Sequence, residues 1–342
     1  MNEILKAGII GYGYMGEIRE RMINQIPELE LIGIYDTDTR VRDKIKKEYL
    51  LDSFERLLED DVDIIFVCTP NVFSPKLCIE SMKKGKHVFC EKPPGRHIQD
   101  IEDVINAEKG DVKLMFGFNH RFHPGVIKAK VMIDSGRLGK IVSMRGVYGK
   151  SGGMNFKESW RNDKNVSGGG ILLDQGIHML DLFLYLCGDF DKVKCFTANS
   201  FWNFTVEDNA CVMMKNSSGQ TAMLHSSATL WKHTFKLDII LENGYLIVEG
   251  LLSKSGSYGR EKLILGKRQF ENETDAVGNP SEEVTYFDRD ESWELEVKEF
   301  VKCIKEKQDV TVSSSQDAYK VMKVIERAYN DAGDASLQEV IQ

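Results

Sequence analysis

Over the first 120 residues, short apolar runs alternate with segments whose apolar positions recur every three or four residues. Runs at 4–10, 29–35, 62–68, 87–90 and 113–118 read as strands, and segments 17–26, 39–49, 75–84 and 98–109 read as helices, with a weaker turn at 53–59. Strand and helix in strict turn predict a parallel, doubly wound sheet with right-handed crossovers. Beyond residue 120 the pattern changes. A helix over 125–135 leads into a strand at 141–149, an irregular segment follows, and one very apolar helix precedes strands at 192–199, 209–215, 220–229, 235–242 and 245–249. Two-residue alternation, as in Thr221-Ala-Met-Leu-His-Ser-Ser-Ala, predicts one packed and one exposed face, the kind that makes a dimer interface. Polar, turn-rich 266–280 reads as a surface loop, and 292–305 and 315–329 as amphipathic helices covering the junction between domains.

The turn between the first strand and helix reads Gly11-Tyr12-Gly13-Tyr14-Met15-Gly16. Glycines so spaced permit a tight turn, let backbone approach a pyrophosphate, and let helix and strand pack closely, while the helix N-terminus attracts phosphate. Asp36 ends the second strand, where a carboxylate accepts from the adenosine ribose hydroxyls and repels a 2′-phosphate. NAD is therefore the expected cofactor. Arg40 keeps NADP in view, because it could pair with that phosphate. Ligands of such sheets lie beyond the carboxyl ends of the strands, which singles out Thr69-Pro70-Asn71 and Glu91-Lys92-Pro93-Pro94. Lys92, stiffened by two prolines, is well placed to donate a proton.

The very apolar helix opens on a flexible glycine run, Ser167-Gly168-Gly169-Gly170, and carries Asp174, His178, Asp181 and Tyr185 within one narrow arc at 100° per residue. A carboxylate one turn from an imidazole can orient it and favour its charged form, which suits proton transfer. The plainer alternative is a core histidine with Asp174 as a helix cap. Upstream, 150–170 is glycine-rich and locally basic: Lys150, Lys157, Arg161 and Lys164 stand against Glu158 and Asp163, with Asn155, Trp160 and Asn162 among them. Trp160 and Arg161 are the expected substrate contacts, suited to a hydroxyl-rich ligand carrying phosphate or carboxylate.

Composition narrows the classes. Lys and Arg number 45 against 53 Asp and Glu, a net charge of −8, so no global field attracts nucleic acid or an anionic membrane. Seven scattered cysteines lack zinc-ribbon or Cys-x-x-Cys spacing and read as buried thiols of a reducing compartment. The start of the chain lacks a basic, apolar leader and no run of about 18 apolar residues stands out, so a cytoplasmic protein is expected. His225 and His233 show no ligand spacing with Asp174 and His178, and no metal is expected.

Three elements in order, Gly11-x-Gly13-x-x-Gly16, Glu91-Lys92-Pro93 and Gly169-Gly170-x-x-x-Asp174-x-Gly176-x-His178-x-x-Asp181, resemble the glucose-fructose oxidoreductase and inositol dehydrogenase family, also called Gfo/Idh/MocA. The likeness extends to Thr69-Pro70-Asn71, Gly85-Lys86-His87-Val88 and Gly117-Phe118-Asn119-His120-Arg121-Phe122. It implies an α/β protein: an N-terminal Rossmann domain (1–120) with a doubly wound parallel sheet, then a substrate and oligomerisation domain (121–342) with an open, largely antiparallel sheet. It also implies catalytic Lys92, Asp174 and His178, and a Lys92–Pro93 bond that is often cis. Gly11, Gly13, Tyr14, Met15, Gly16, Asp36, Thr69, Pro70, Asn71, Glu91 and Lys92 then face the cofactor, and Asn119, Arg121, Trp160, Arg161 and His178 the substrate. Two departures concern the substrate side: Ser74 stands where many relatives carry histidine, and His120-Arg121 where an arginine pair is common.

The implied reaction oxidises a secondary alcohol of a sugar, cyclitol or nucleotide sugar: hydride passes to nicotinamide while His178, oriented by Asp174, takes the hydroxyl proton and Lys92 assists. Two relatives' chemistries are the alternatives, a redox-neutral NAD-dependent glycosidase and a dinucleotide-binding regulator. A homodimer or homotetramer is expected.

Overall fold

The computed structural model describes residues 4–59, 61–152, 156–253, 255–269 and 278–333. It divides into two compact units, one of Met1–Asn119, Asn165–Gly168 and Trp293–Met322, the other of His120–Lys164, Gly169–Ser292 and Lys323–Gln342. Residues 165–168 and 293–322 thus group with the first unit. Hydrogen bonds hold both segments there: Val72 N–H donates to the Val166 carbonyl, the Asn71 side chain to that of Ser167, and Phe116 N–H to that of Ser313.

The first unit contains strands β1 (Leu5–Ile10), β2 (Leu29–Tyr35), β3 (Ile64–Val67), β4 (His87–Cys90) and β5 (Leu114–Phe116), and helices α1 (Tyr14–Gln25), α2 (Thr39–Arg42), α3 (Ser74–Lys83) and α4 (Ile98–Ala107). Its strands run parallel in the order β2-β1-β3-β4-β5, as the alternation predicts. Segment 39–49 is not one helix. Helicity stops at Arg42 because residues 49–51 run along the free edge of β2: Ile34 N–H donates to the Tyr49 carbonyl and Leu51 N–H to that of Ile34. A strand edge with open backbone groups outcompetes a short helix of modest propensity. Phe66, Phe89 and Phe300 pack ring on ring in the core of this unit.

The second unit contains α5 (Pro124–Asp134), β6 (Ile141–Gly149), β7 (Lys192–Ala198), β8 (Asn209–Lys215), β9 (Thr221–Ser227), β10 (Thr234–Leu241), β11 (Gly244–Glu249), β12 (Lys262–Lys267) and β13 (Glu282–Tyr286). The sheet order is β13-β12-β11-β10-β6-β9-β8-β7, with β6 and β9 parallel and every other pair antiparallel. Strands β12 and β13 are absent from the pattern reading. Gly266 and three lysines or glutamates at strand ends disguise them as loop, the polar composition that protects a sheet edge. The expected loop thus begins after Lys267, and its residues 270–277 lie outside the described ones.

Short helix α6 (Lys164–Ser167) leads to a π-helical turn, Leu172–Gly176, and then to α7 (Ile177–Cys187). Helix α7 lies against the inner face of the sheet, where Gly146 of β6 makes room: a Cβ there would stand 2.4 Å from Met179. Residues 164–187 are long and apolar enough to cross a membrane, yet 78% of that window is buried, which marks a core helix. The chain ends in α8 (Ser292–Lys305) and α9 (Ser315–Asp331), which bury apolar stripes.

Candidate active site

The turn after β1 has the shape a dinucleotide needs. Gly11 sits at φ 91°, and a Cβ on it would lie 2.7 Å from the Cys68 carbonyl oxygen. A Cβ on Gly16 would lie 2.3 Å from the Gly11 oxygen, so α1 can start this close to β1 only with glycine. A Cβ on Gly13 would meet nothing within 4 Å, and no side chain caps α1 there, so its first N–H groups are left to an anion. Each Asp36 oxygen accepts one backbone N–H, Oδ2 from Tyr12 at 2.6 Å and Oδ1 from Asp38 at 2.8 Å. That fixes the carboxylate and leaves lone pairs for ribose hydroxyls. Arg40 is paired with Asp38, to whose carboxylate it donates from Nε and Nη2, and Asp38 is thereby held below the usual carboxylate range. These residues fit NAD.

At the neighbouring strand ends the expected contacts divide. Thr69 shares a 3.1 Å hydrogen bond with Ser74, the residue standing where many relatives have histidine. Asn71, expected at the cofactor, is buried and spends its amide on the Ser167 carbonyl, 2.7 Å away. Glu91, also expected there, is buried against Arg19, whose Nε donates at 2.6 Å, while Arg19 Nη2 lies 2.7 Å from Glu296. Burial alone would lower the Arg19 pKa, but Glu296 and Glu91 outweigh it and raise it. Both side chains therefore anchor the loops from below, since a buried carboxylate is tolerable only against a cation. Lys92 follows directly, and its bond to Pro93 is cis.

In the second unit the polar stripe of the sequence is rebuilt by tertiary partners. The glycine run is packed, not flexible: a Cβ on Gly170 would lie 2.0 Å from the Glu207 carbonyl oxygen, and one on Gly169 would lie 2.3 Å from the Tyr329 hydroxyl. Buried Glu207 accepts from Gly170 N–H at 2.8 Å, Leu172 N–H at 2.9 Å and the Tyr329 hydroxyl at 2.8 Å. Burial pushes its carboxyl upward, partly offset by those donors. Next comes the π turn in place of a continuous α-helix. The Ser226 hydroxyl of β9 donates to the Ile171 carbonyl, and Gly176 lets β9 approach, so a hydrogen bond from outside the helix replaces one within it.

Asp174 sits in that turn, its Oδ2 accepting from Lys150 Nζ at 2.8 Å and its Oδ1 from Arg161 Nε at 3.1 Å. Arg161 also covers the Trp160 ring, 4.5 Å from its centroid. One turn on, His178 is buried and stacks on His120, ring centroids 3.7 Å apart, and His120 Nε2 bonds the Tyr148 hydroxyl at 2.9 Å. Burial pushes the Tyr148 phenol well above its usual value, with Tyr258 adding to the shift, so it stays protonated. Asp181, the third stripe residue, forms a buried two-point pair with Arg121 at 2.6 and 2.8 Å, and the guanidinium lies over Tyr185. Arg121, expected to meet substrate, is committed to that pair instead. Asn119, in the first unit, is likewise buried. Asn155 of the basic loop lies outside the described residues. Sequence reasoning missed Lys150, His120 and Tyr148 as partners, because each comes from a distant element.

His225 lies 3.4 Å from Asn209 and His233 lies 3.0 Å from Ser151. Among the described residues no three His, Cys, Asp or Glu side chains are grouped to hold a metal ion.

A parallel five-stranded sheet, a glycine turn onto a helix N-terminus and a carboxylate held beyond the end of β2 fit a dinucleotide-binding oxidoreductase. The model of the oxidoreductase family with NAD-binding Rossmann fold matches residues 5–118, and that of the GFO/IDH/MocA C-terminal domain matches 126–247. Together they span more than half of the chain, which belongs to the GFO/IDH/MocA family. Myo-inositol 2-dehydrogenase of Thermotoga maritima is 25% identical, over 98% of this chain and 100% of that protein. D-glucoside 3-dehydrogenase of Escherichia coli is 28% identical, over 69% of this chain and 71% of that protein. A solved levoglucosan dehydrogenase, in complex with NADH and L-sorbose, superimposes with a TM-score of 0.84 at 20% identity, covering 97% of each chain, a likeness of fold.

Proposed function

We propose that this chain oxidises a secondary hydroxyl of a sugar or cyclitol with NAD. The observation that carries the reading is the Asp174 and His178 cluster of the second unit, in a family that includes myo-inositol 2-dehydrogenase and D-glucoside 3-dehydrogenase. Bound nicotinamide supplies the hydride acceptor. His178 takes the hydroxyl proton, its ring plane fixed by His120. Asp174, held by Lys150 and Arg161, sets the imidazole tautomer, and Lys92 donates a hydrogen bond to the substrate oxygen. Gly11, Gly13, Tyr14, Met15, Gly16, Asp36, Thr69 and Pro70 line the dinucleotide, and Trp160 and Arg161 meet the sugar. Buried Asn71, Glu91, Asn119 and Arg121 position their neighbours. Seven cysteines outside any disulfide support a reducing, cytoplasmic setting, although only Cys78, Cys90, Cys195 and Cys303 are buried as expected, Cys68 and Cys187 being partly exposed and Cys211 exposed.

The exposed face of the second unit's sheet supports a homodimer, or a tetramer built from such dimers. Across its centre one row reads Ile264, Ile247, Asp238, then Arg145, Met223, Met213, with four strands on either side. A two-fold axis along the strands between β10 and β6 lays Asp238 of one copy over Arg145 of the other, and the isoleucines over the methionines. Glu282 on β13 then meets Lys192 on β7. Such self-complementarity is what an isologous interface requires.

The test of the activity is to mix the protein with NAD and a panel of hexoses, cyclitols, uronic acids and nucleotide sugars, and follow nicotinamide absorbance beside Lys92→Ala. Reduction with one substrate group, lost in the variant, is expected. Binding of NAD with silence across the panel would overturn the reading.

A further inference from the structure

Five aromatic side chains gather beside Asp174 within the second unit, and the proton chemistry above uses none of them. Phe156 and Phe204 line the same narrow crevice as Asp174 and Arg161, a space of about 10 Å³ that admits no more than a water. Trp202 continues outward from them, 5.0 Å from Phe156 and stacked within 5° of parallel on Phe204. Phe201 and Trp231 complete the series, ring centroids 4.8 Å apart, and they are 61% and 56% exposed. Isolated exposed aromatics need no explanation, but a continuous series leading out of a polar crevice does.

The backbone under these rings is built to hold them outward. Buried Asp208 accepts N–H from Ser200, Phe201 and Trp202 at 2.9, 2.8 and 3.0 Å. Although burial raises its pKa, those donors prevail and hold the carboxyl below its usual range. Trp202 Nε1 donates to the Ala228 carbonyl, and Gly152, at φ 70°, lets the chain cross the ring where a Cβ would lie 2.3 Å away. Trp231 sits at φ 54°, a strained conformation for a bulky residue. Strain of this kind collects at ligand clamps, and rigid, exposed aromatics lose little entropy on binding.

Resting on the sugar reading above, we propose that Phe201, Trp202 and Trp231 form a second subsite that stacks on a flat ring joined to the reacting sugar, so that the substrate is a glycoside or similar conjugate and not a free monosaccharide. A pyranose, an aryl group and a nucleobase all offer the apolar face that aromatic side chains take, while Arg161 and Asn162 at the crevice meet the sugar's hydroxyls.

The experiment compares glucose with phenyl glucoside, cellobiose and UDP-glucose, in wild type, Phe201→Ala, Trp231→Ala and Trp231→Phe. Turnover is followed by nicotinamide absorbance and binding by tryptophan fluorescence. Expected is at least one conjugate favoured over glucose by about tenfold or more in kcat/KM, with that ratio collapsing in both alanine variants and restored by Trp231→Phe; the favoured conjugate names the second ring. Equal kcat/KM for glucose and every conjugate, or a ratio indifferent to both substitutions, overturns the subsite and leaves the dehydrogenase reading standing. Fluorescence binding of a conjugate that requires Phe201 and is unaccompanied by any turnover upholds the subsite and sinks the dehydrogenase. Neither binding nor turnover with any probe overturns both.

Discussion

His120 and His178 lie face to face, ring centroids 3.7 Å apart and planes 22° from parallel. In the proposed mechanism the His120 imidazole fixes the plane of His178, and a misplaced proton acceptor can cost about 10²-fold in rate. His120→Phe, which keeps a flat ring, should therefore retain far more turnover than His120→Ala. His178→Asn and Lys92→Ala should each lose about 10²- to 10⁴-fold in kcat. Steady-state kinetics decide it, and full activity in His120→Ala would remove the stack from the mechanism.

Asp36 is held by two backbone donors and Arg40 by Asp38, so under the proposed reading Asp36 meets the adenosine ribose and repels a 2′-phosphate by charge. Asp36→Ser should weaken NAD and narrow its advantage over NADP by about tenfold or more, since removing a close like charge is worth at least one such factor. Titrating both dinucleotides into both proteins gives the ratio. An unchanged ratio would locate the discrimination elsewhere.

Arg19 stands fully buried with Glu91 and Glu296. Arg19→Met strips the cation from between two buried carboxylates and should destabilise the protein by about 3–5 kcal/mol. Thermal melting should show a lower Tm, with part of the loss recovered in Arg19→Met with Glu296→Gln. A Tm equal to wild type would mean the two glutamates tolerate each other.

The Arg145–Asp238 pair, 2.6 Å apart on the exposed sheet face, offers a charge test of the proposed dimer. Arg145→Asp or Asp238→Arg alone should shift the protein toward monomer, and the double reversal should restore the dimer. Light scattering reads the mass. Dimers in all three variants would place the contact on another surface.

His87 is half-buried with Nδ1 accepting from Lys113 N–H at 3.0 Å, and burial depresses its pKa, with Lys113 adding to the shift. A histidine whose folded pKa lies below the unfolded value near 6.5 contributes stability above that pH and loses it as pH falls toward the folded pKa. Urea unfolding at neutral and mildly acid pH should therefore show a steeper acid loss in wild type than in His87→Asn. Equal losses would show that His87 does not carry the dependence.

The cofactor turn was legible because its constraints are local. Gly11 needs its φ, Gly16 needs to lie against Gly11, and both requirements are written within six residues. The parallel sheet followed from alternation for the same reason, while its strand order did not. The proposed catalytic cluster could be read from the sequence only as a list of candidates. Asp174 and His178 could be picked out by spacing, yet Lys150, His120 and Tyr148 reach them from 24 to 58 residues away in the sequence, and periodicity carries no record of such pairs. The π turn is hidden for that reason too: its cause is Ser226, on another strand. Strand β13 stayed hidden because an edge strand with two leading glutamates resembles a loop in composition.

The sheet order has a consequence for how the chain is made. Strand β6 is synthesised first among its sheet, but its partners β9 and β10 begin at Thr221 and Thr234, so the centre of the sheet stays unpaired until some seventy to ninety residues later. The first unit is delayed even further, because Phe116 and Arg19 wait for Ser313 and Glu296. Emerging from the ribosome, this protein is not a completed cofactor module followed by a second one. The long wait with open strand edges leaves assembly exposed to chaperones and to aggregation.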